Sequence, residues 1–168
     1  MTIARLPSRG AVTTNLPTNR CDLNSPDRPA LLVSACLVGV ACNHEAGHSR
    51  RPAVEALVAT HRLVQICPEV CGGLSTPRPA AERVGARVVN VDGNDVTDAY
   101  ERGARAAVEL AAAVGAKRAV LKARSPSCGC TQVYDGTFSR TLRAGEGVTA
   151  AALRAAGVEV VSEDDILA

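Results

Sequence analysis

Short apolar runs rich in β-branched residues recur along this chain, and each meets residues that turn or stop a strand. ALLVSAC (30–36) lies between Pro29 and Gly39, RLVQIC (62–67) stops at Pro68, and KRAVLKA (117–123) leads into RSPSCGC. VEVVS (158–162) is the last of them. Runs of this length without strict alternation suit strands buried on both faces. Helical stretches separate them. PAVEALVATH (52–61) opens with Pro at a first helical position. TDAYERGARAAVELAAAVG (97–115) spaces Tyr100, Ala104, Ala107, Ala111 and Val114 along one face, with Thr97 as N-cap and Gly115 as its stop. Residues 147–156 form a final helix before Gly157. ARVVNVDG (86–93) reads as a short strand or hairpin arm ending at Asp92-Gly93, and Asp135-Gly136 marks a second turn. The alternation predicts an α/β fold: a single Rossmann-like domain with a mostly parallel open sheet flanked by helices. Strand order is not contained in the pattern.

Hydrophobic residues make up 46% of the 168, but aromatics only 2%, so the core is expected to be Ala, Val, Leu and Ile. The net charge of +2 is spread without a basic stripe, and two Tyr and one Phe make a poor platform for single strands. Neither pattern suits a nucleic acid polymer. No apolar run approaches the roughly 18 residues of a membrane span. Residues 1–28 lack the apolar region of a secretory signal and are rich in Pro, Thr, Ser and Asn. They are expected to be a flexible extension to a domain at 29–168, in a cytoplasmic protein. Seven cysteines in such a chain are expected as ligands, reactive thiols or small core residues rather than disulfides.

Three of them, Cys36, Cys67 and Cys128, fall at or just past the ends of expected strands. If the strands are parallel, all three reach one rim of the sheet, where open α/β folds gather ligands. Each is either a small buried hydrophobe or a ligand to a shared metal or cluster. Cys71 follows Cys67 in the same loop, and Cys130 is a spare beside Cys128. Cys42, with His44 and His48, fits a zinc site or an exposed polar loop, the loop being favoured. Cys21 is incidental.

Glu69 lies two residues from both Cys67 and Cys71, which makes it a candidate proton donor or acceptor. Ser125 and Ser127 have no His within local reach, so they read as hydrogen-bond partners of a bound molecule rather than nucleophiles. Lys122 and Arg124 either offset thiolate charge or are solvated. Arg78 and Arg83 are either anion contacts or, as favoured here, surface residues.

SACLVG with Cys42 following, CPEVCGGLSTPRPAAE, NVDGNDVT, LKARSPSCG, YDGTFS, GEGVTAAALR and GVEVVSE together resemble, in that order, a small bacterial family. It was once known only as domain of unknown function 523, and it includes the TudS-type [4Fe-4S]-dependent thiouracil desulfidases. The resemblance runs from about Ala30 to Ile166. It implies a Rossmann-like domain with a [4Fe-4S] cluster held by three cysteines, one iron being left open for the sulfur of a thiolated pyrimidine. Carbon–sulfur cleavage by water then needs no net redox change. Matched by motif, Cys36 and Cys128 are implied ligands, with Cys67 as the middle ligand and Cys71 as its alternative. Glu69 of the CPE motif is the implied acid or base, and Ser125 touches substrate with Ser127 behind it. ACNHEAGHS departs from the Arg-Tyr-Asp-Gly of many relatives, which bears on which thiolated nucleobase or small thioamide is bound. Two other readings stand beside this one: a zinc-dependent hydrolase, and a cluster-bearing sulfur carrier or sensor without turnover.

Overall fold

The structure, a computed structural model, describes residues 27–166. Most of the expected extension at 1–28, Cys21 included, therefore lies outside the described residues. Four strands, β1 (Ala30–Ser34), β2 (Arg62–Ile66), β5 (Arg118–Leu121) and β8 (Glu159–Ser162), form a wholly parallel sheet in the order β2-β1-β5-β8. Leu32 pairs with Val64 on one side and Ala119 on the other, and Val120 pairs with Val161.

Every residue of β1 is buried because both faces of the sheet are covered. On one face Leu31, Val33 and Val120 pack with Leu37 and with Val54 of α1 (Pro52–Ala56). On the other, Ala30, Leu32, Ala119 and Leu121 meet Ala107 and Ala111 of α3 (Thr97–Val114), and Ala150 and Leu153 of α4 (Val148–Ala155). Small residues on α3 let the helix lie close to the sheet, which is how an aliphatic core fills without aromatic bulk. Among the described residues, no helix is long and apolar enough to cross a membrane.

Four local features differ from the sequence reading. The helix expected over 52–61 ends at Ala56 and continues as a 3-10 turn over Leu57–Ala59. Thr97 is not the N-cap of α3; Val96 holds that place. The Thr97 hydroxyl instead donates to Asp95 Oδ1 and accepts from the Val88 amide at 2.9 Å, joining the helix to β4 (Arg87–Asn90). The arm expected near 86–93 forms, and its antiparallel partner is a strand not expected from sequence, β3 (Ala81–Val84). The loop after Cys128 contains a second hairpin, β6 (Gln132–Tyr134) with β7 (Leu142–Ala144).

One close approach sets the geometry of the rim. Gly103, buried in α3, faces the backbone of Pro68 at the start of α2 (Pro68–Cys71), where a Cβ would come within 1.9 Å of the Pro68 carbonyl oxygen. Arg102 Nε and Nη2 also donate to the Gly72 carbonyl, at 3.1 and 3.0 Å. Two backbones are thereby locked together directly beneath Cys67 and Glu69.

Candidate active site at the strand ends

The sheet order reverses between β1 and β5: the chain runs outward from β1 to β2, then returns to build β5 and β8 on the other side. A crevice at such a reversal collects ligands. Here it holds a cavity of about 590 Å³ lined by Cys36, Cys67 and Cys128. Cys36 sits on the 3-10 turn Ala35–Val38 that follows β1, and Cys67 directly follows β2 at the N-cap of α2. Cys128 is delivered by the loop after β5, which is folded by its own serine: Ser125 Oγ accepts from the amides of Ser127 (3.0 Å) and Cys128 (3.1 Å). The parallel sheet therefore brings the three expected thiols to one cavity.

Cys128 is buried and Cys36 and Cys67 are half-buried, and the three are electrostatically linked. Burial first, and then the neighbouring Cys67, pushes the Cys36 thiol up to about 11. Burial raises Cys128 strongly, against an opposing hydrogen bond from Ser34, with Cys36 and Cys67 among the groups adding to the rise. Cys42 also lines the cavity and is pushed up to about 12, by burial and then by Cys67. Several buried thiolates side by side require a compensating positive charge.

The acid is held on all sides. Arg78 Nε donates to Glu69 Oε2 at 2.7 Å, and Ser125 Oγ donates to Oε1 at 3.4 Å. Tyr100 lines the same cavity, and burial, then the Glu69 charge, pushes its phenol upward. Arg78 was expected at the surface, and the structure corrects this: its side chain is only 5% exposed. Its remaining donors reach the carbonyls of Cys42 (2.9 Å) and Ser75 (3.1 Å) and the Thr76 hydroxyl (3.2 Å). A guanidinium with five donors can be buried when nearly all are used, and its planar fork is what makes that possible.

Other expected residues are placed differently. Ser127 is fully buried and its hydroxyl pairs with Thr149 at 2.8 Å, so it fastens the loop to α4 and does not line the cavity. Cys71 is exposed on α2 and does not line the cavity either. Cys130 is buried in the core, its thiol donating to the Cys128 carbonyl. Arg83 donates to the Glu146 carbonyl at 2.7 Å. His44 is exposed beside Glu45, and His48 accepts from the Arg50 amide. Among the described residues, no three His, Cys, Asp or Glu side chains lie close enough to share one metal ion.

Three groups were not singled out from sequence. Ser34 accepts from the Lys122 amide at 3.0 Å while facing Cys128. Glu163, its side chain wholly buried, holds Lys122 Nζ at 2.8 Å beside Cys36. Tyr100 had been assigned only to the helix face. A polar residue closing β1 carried some signal; Glu163 sits in an acidic EDD run that looks solvent-directed.

An open parallel α/β domain with a thiol-lined crevice at its strand ends defines a class of ligand-binding or catalytic domains built around soft donors. A model of the 2-thiouracil desulfurase family matches residues 31–165, so the chain belongs to that family. It is 40% identical over 146 residues to the uncharacterised protein YbbK of Bacillus subtilis (strain 168), covering 81% of this chain and 97% of that one. It is also similar to a solved structure described as the [4Fe-4S]-dependent thiouracil desulfidase TudS. There the TM-score is 0.78 and the identity 44%, over 83% of this chain and 93% of that one.

The residues present fit a cluster of that kind. Thiolates are the donors that iron–sulfur centres take, and the iron supplies the positive charge that neighbouring buried thiolates need. Each thiolate of a cluster binds a separate iron, so its ligands need only surround one cavity and need not converge on one point.

Proposed function

We propose that this protein is a [4Fe-4S]-dependent desulfidase that hydrolyses the thiocarbonyl of thiolated nucleobases such as thiouracil. One observation carries the reading: three thiols from separate strands and a clamped carboxylate line the same cavity, in a chain of this family. Cys36, Cys67 and Cys128 would hold the cluster, and Cys71, directed to solvent, would not. When bound, the cluster supplies an open, thiophilic iron for the sulfur of the substrate.

The chain's own residues handle the hard atoms. The reaction replaces C=S by C=O, consuming one water and releasing one sulfide with its protons, with no electron gained or lost. Glu69 is the group that takes a proton from the water and returns one to the departing sulfur or a ring nitrogen. Arg78 fixes the carboxylate through Oε2, leaving Oε1 turned toward Ser125. The Ser125 proton points to the same place because both amide bonds to its oxygen are already made. We place the activity in residues 29–168, independent of the segment before Pro29.

The test is anaerobic reconstitution of the full chain with iron and sulfide, followed by sulfide release from 2- and 4-thiouracil. Cys36→Ser, Cys67→Ser and Cys128→Ser should lose the brown cluster absorption and turnover, whereas Cys71→Ser should keep both. Glu69→Gln should keep the cluster and lose turnover. Colourless protein holding zinc without iron would overturn the cluster assignment. Full turnover in Glu69→Gln would overturn the role of the acid, and a stable cluster without sulfide release would leave a carrier or sensor.

A further inference from the structure

Two Tyr and one Phe are the whole aromatic content of the 168 residues, and no Trp is present. All three, Tyr100, Tyr134 and Phe138, line the strand-end cavity. Tyr100, on α3, is nearly fully buried and feels the charge of Glu69. Tyr134 and Phe138 are only half-buried and belong to neither apolar cluster, which are made mainly of Ala, Val and Leu. Tyr134 ends β6, and Phe138 lies in the loop joining β6 to β7.

Phe138 is not placed there by burial of its ring. It is only half-buried and belongs to neither apolar cluster of the core. Its backbone adopts φ +57°, a left-handed conformation that a bulky side chain adopts only when its surroundings enforce it. The enforcement comes from Glu82, a buried carboxylate whose Oε2 accepts from the amides of Gly136 (2.9 Å) and Phe138 (3.0 Å). The Asp135 carboxylate binds the Thr137 amide and hydroxyl in the same turn. A buried acid and a strained backbone thus hold a ring against the cavity that no packing requirement put there.

We infer that Phe138, supported by Tyr134, is the stacking surface for the flat ring of the substrate, and the residue that directs this site to heteroaromatic thiocarbonyls rather than acyclic thioamides. The inference rests on the proposed desulfidase reading. A cavity of about 590 Å³ is much larger than one pyrimidine ring, so edge contacts to Glu69 and Ser125 alone leave the ring free to tilt. A flat apolar face removes that freedom, and stacking tolerates any base because every base has one.

The test uses the anaerobically reconstituted full chain. Phe138→Leu keeps an apolar side chain of similar bulk and removes the ring. It should raise KM for 2-thiouracil about tenfold with kcat little changed, as expected when binding common to substrate and transition state is lost. Its preference for 2-thiouracil over thioacetamide should fall by the same factor, with the cluster spectrum unchanged. Phe138→Trp introduces the chain's single Trp, whose fluorescence uracil should quench saturably. Unchanged KM and preference in Phe138→Leu, or Trp emission indifferent to uracil at concentrations that inhibit turnover, would overturn the inference. Should Phe138→Leu fail to fold, the Trp readout decides alone. If the native chain releases no sulfide from any thiolated base, the functional reading fails instead, and quenching by uracil still reports whether the ring stacks.

Discussion

Gly103→Ala sets two effects of opposite sign against each other. In an exposed helix interior the change stabilises by about 1 kcal/mol, since Gly is the more flexible residue in the unfolded chain. In α3 the new Cβ would lie 1.9 Å from the Pro68 carbonyl oxygen and 2.6 Å from its carbon. Both are backbone atoms, so no side chain can rotate away. To reach even 3.0 Å, below which real Cβ contacts essentially do not occur, α2 and α3 must part by about 1.1 Å. Overpacking costs about 1–3 kcal/mol, and a clash between two backbones that cannot rotate away falls in the upper part, about 2–3 kcal/mol, which outweighs the gain in propensity. The expected net loss is about 1–2 kcal/mol, or roughly 3–6 °C in Tm for a domain of this size. Function should suffer more than stability. The segment that moves begins at Pro68, between Cys67 and Glu69, and a displacement of about 1 Å at reacting groups costs on the order of 100-fold. Thermal unfolding, iron content and sulfide release from 2-thiouracil, measured on one anaerobic preparation, read the three effects separately. A variant with Tm at or above that of the native protein and with full turnover would refute the claim that this contact positions the site.

Arg78→Met should lower stability by about 2–3 kcal/mol in urea unfolding, because Glu69, 14% exposed, loses its ion-pair partner. Arg78→Lys should restore little turnover, since an ammonium cannot reach the carboxylate and the Cys42 and Ser75 carbonyls together. Lys122→Met strands the wholly buried Glu163 side chain and should cost about 3 kcal/mol, whereas Lys122→Met combined with Glu163→Gln should recover most of it in a double-mutant cycle. The Asp135 carboxyl is held below its ordinary 3.8, first by the Thr137 hydroxyl and then by its amide. A depressed acid stabilises the folded state above its unfolded value and loses that contribution as pH falls through the folded one. Amide exchange at Thr137, corrected for its intrinsic pH dependence, should therefore show no loosening between pH 5 and 8 and should quicken only below about pH 4. Loosening near pH 6 would contradict this.

The central sheet was legible because its strands are short, largely apolar runs between stops, a pattern that both-face burial imposes most fully on β1 and β5. The meeting of Cys36, Cys67 and Cys128 followed from one premise, parallel strands, without any knowledge of strand order. What escaped the sequence has local physical reasons. β6 and β7 have three residues each, too few to display a period, and Gln132 and Leu142 are exposed. Arg78 looked like a surface residue because composition does not show where five donors go. Ser127 and Ser125 look equivalent in RSPSCGC, yet one hydroxyl turns into the core toward Thr149 and the other closes the turn that presents Cys128. Only the backbone between them makes that choice.

The cavity wall also explains how one crevice can hold soft sulfur and hard acid chemistry together. Arg78 faces Glu69, Lys122 faces Glu163, and Arg124 faces Asp164 at 2.9 Å, so each of these cations is already matched by a carboxylate. Those three pairs offer no free cation to a charged solute, and there recognition passes to hydrogen bonds and the aromatic face. The thiols differ: half-buried Cys36 and buried Cys128 lie among groups that mostly disfavour their ionised form, with Lys122 and the Ser34 hydroxyl the opposing influences. A binder that brings positive charge to the sulfurs converts that desolvation penalty into attraction, while a small neutral molecule gains nothing from them. On the proposed reading, thiol burial would favour the metal centre and the paired charges with Phe138 would favour the uncharged ring, two discriminations made by different atoms of one cavity.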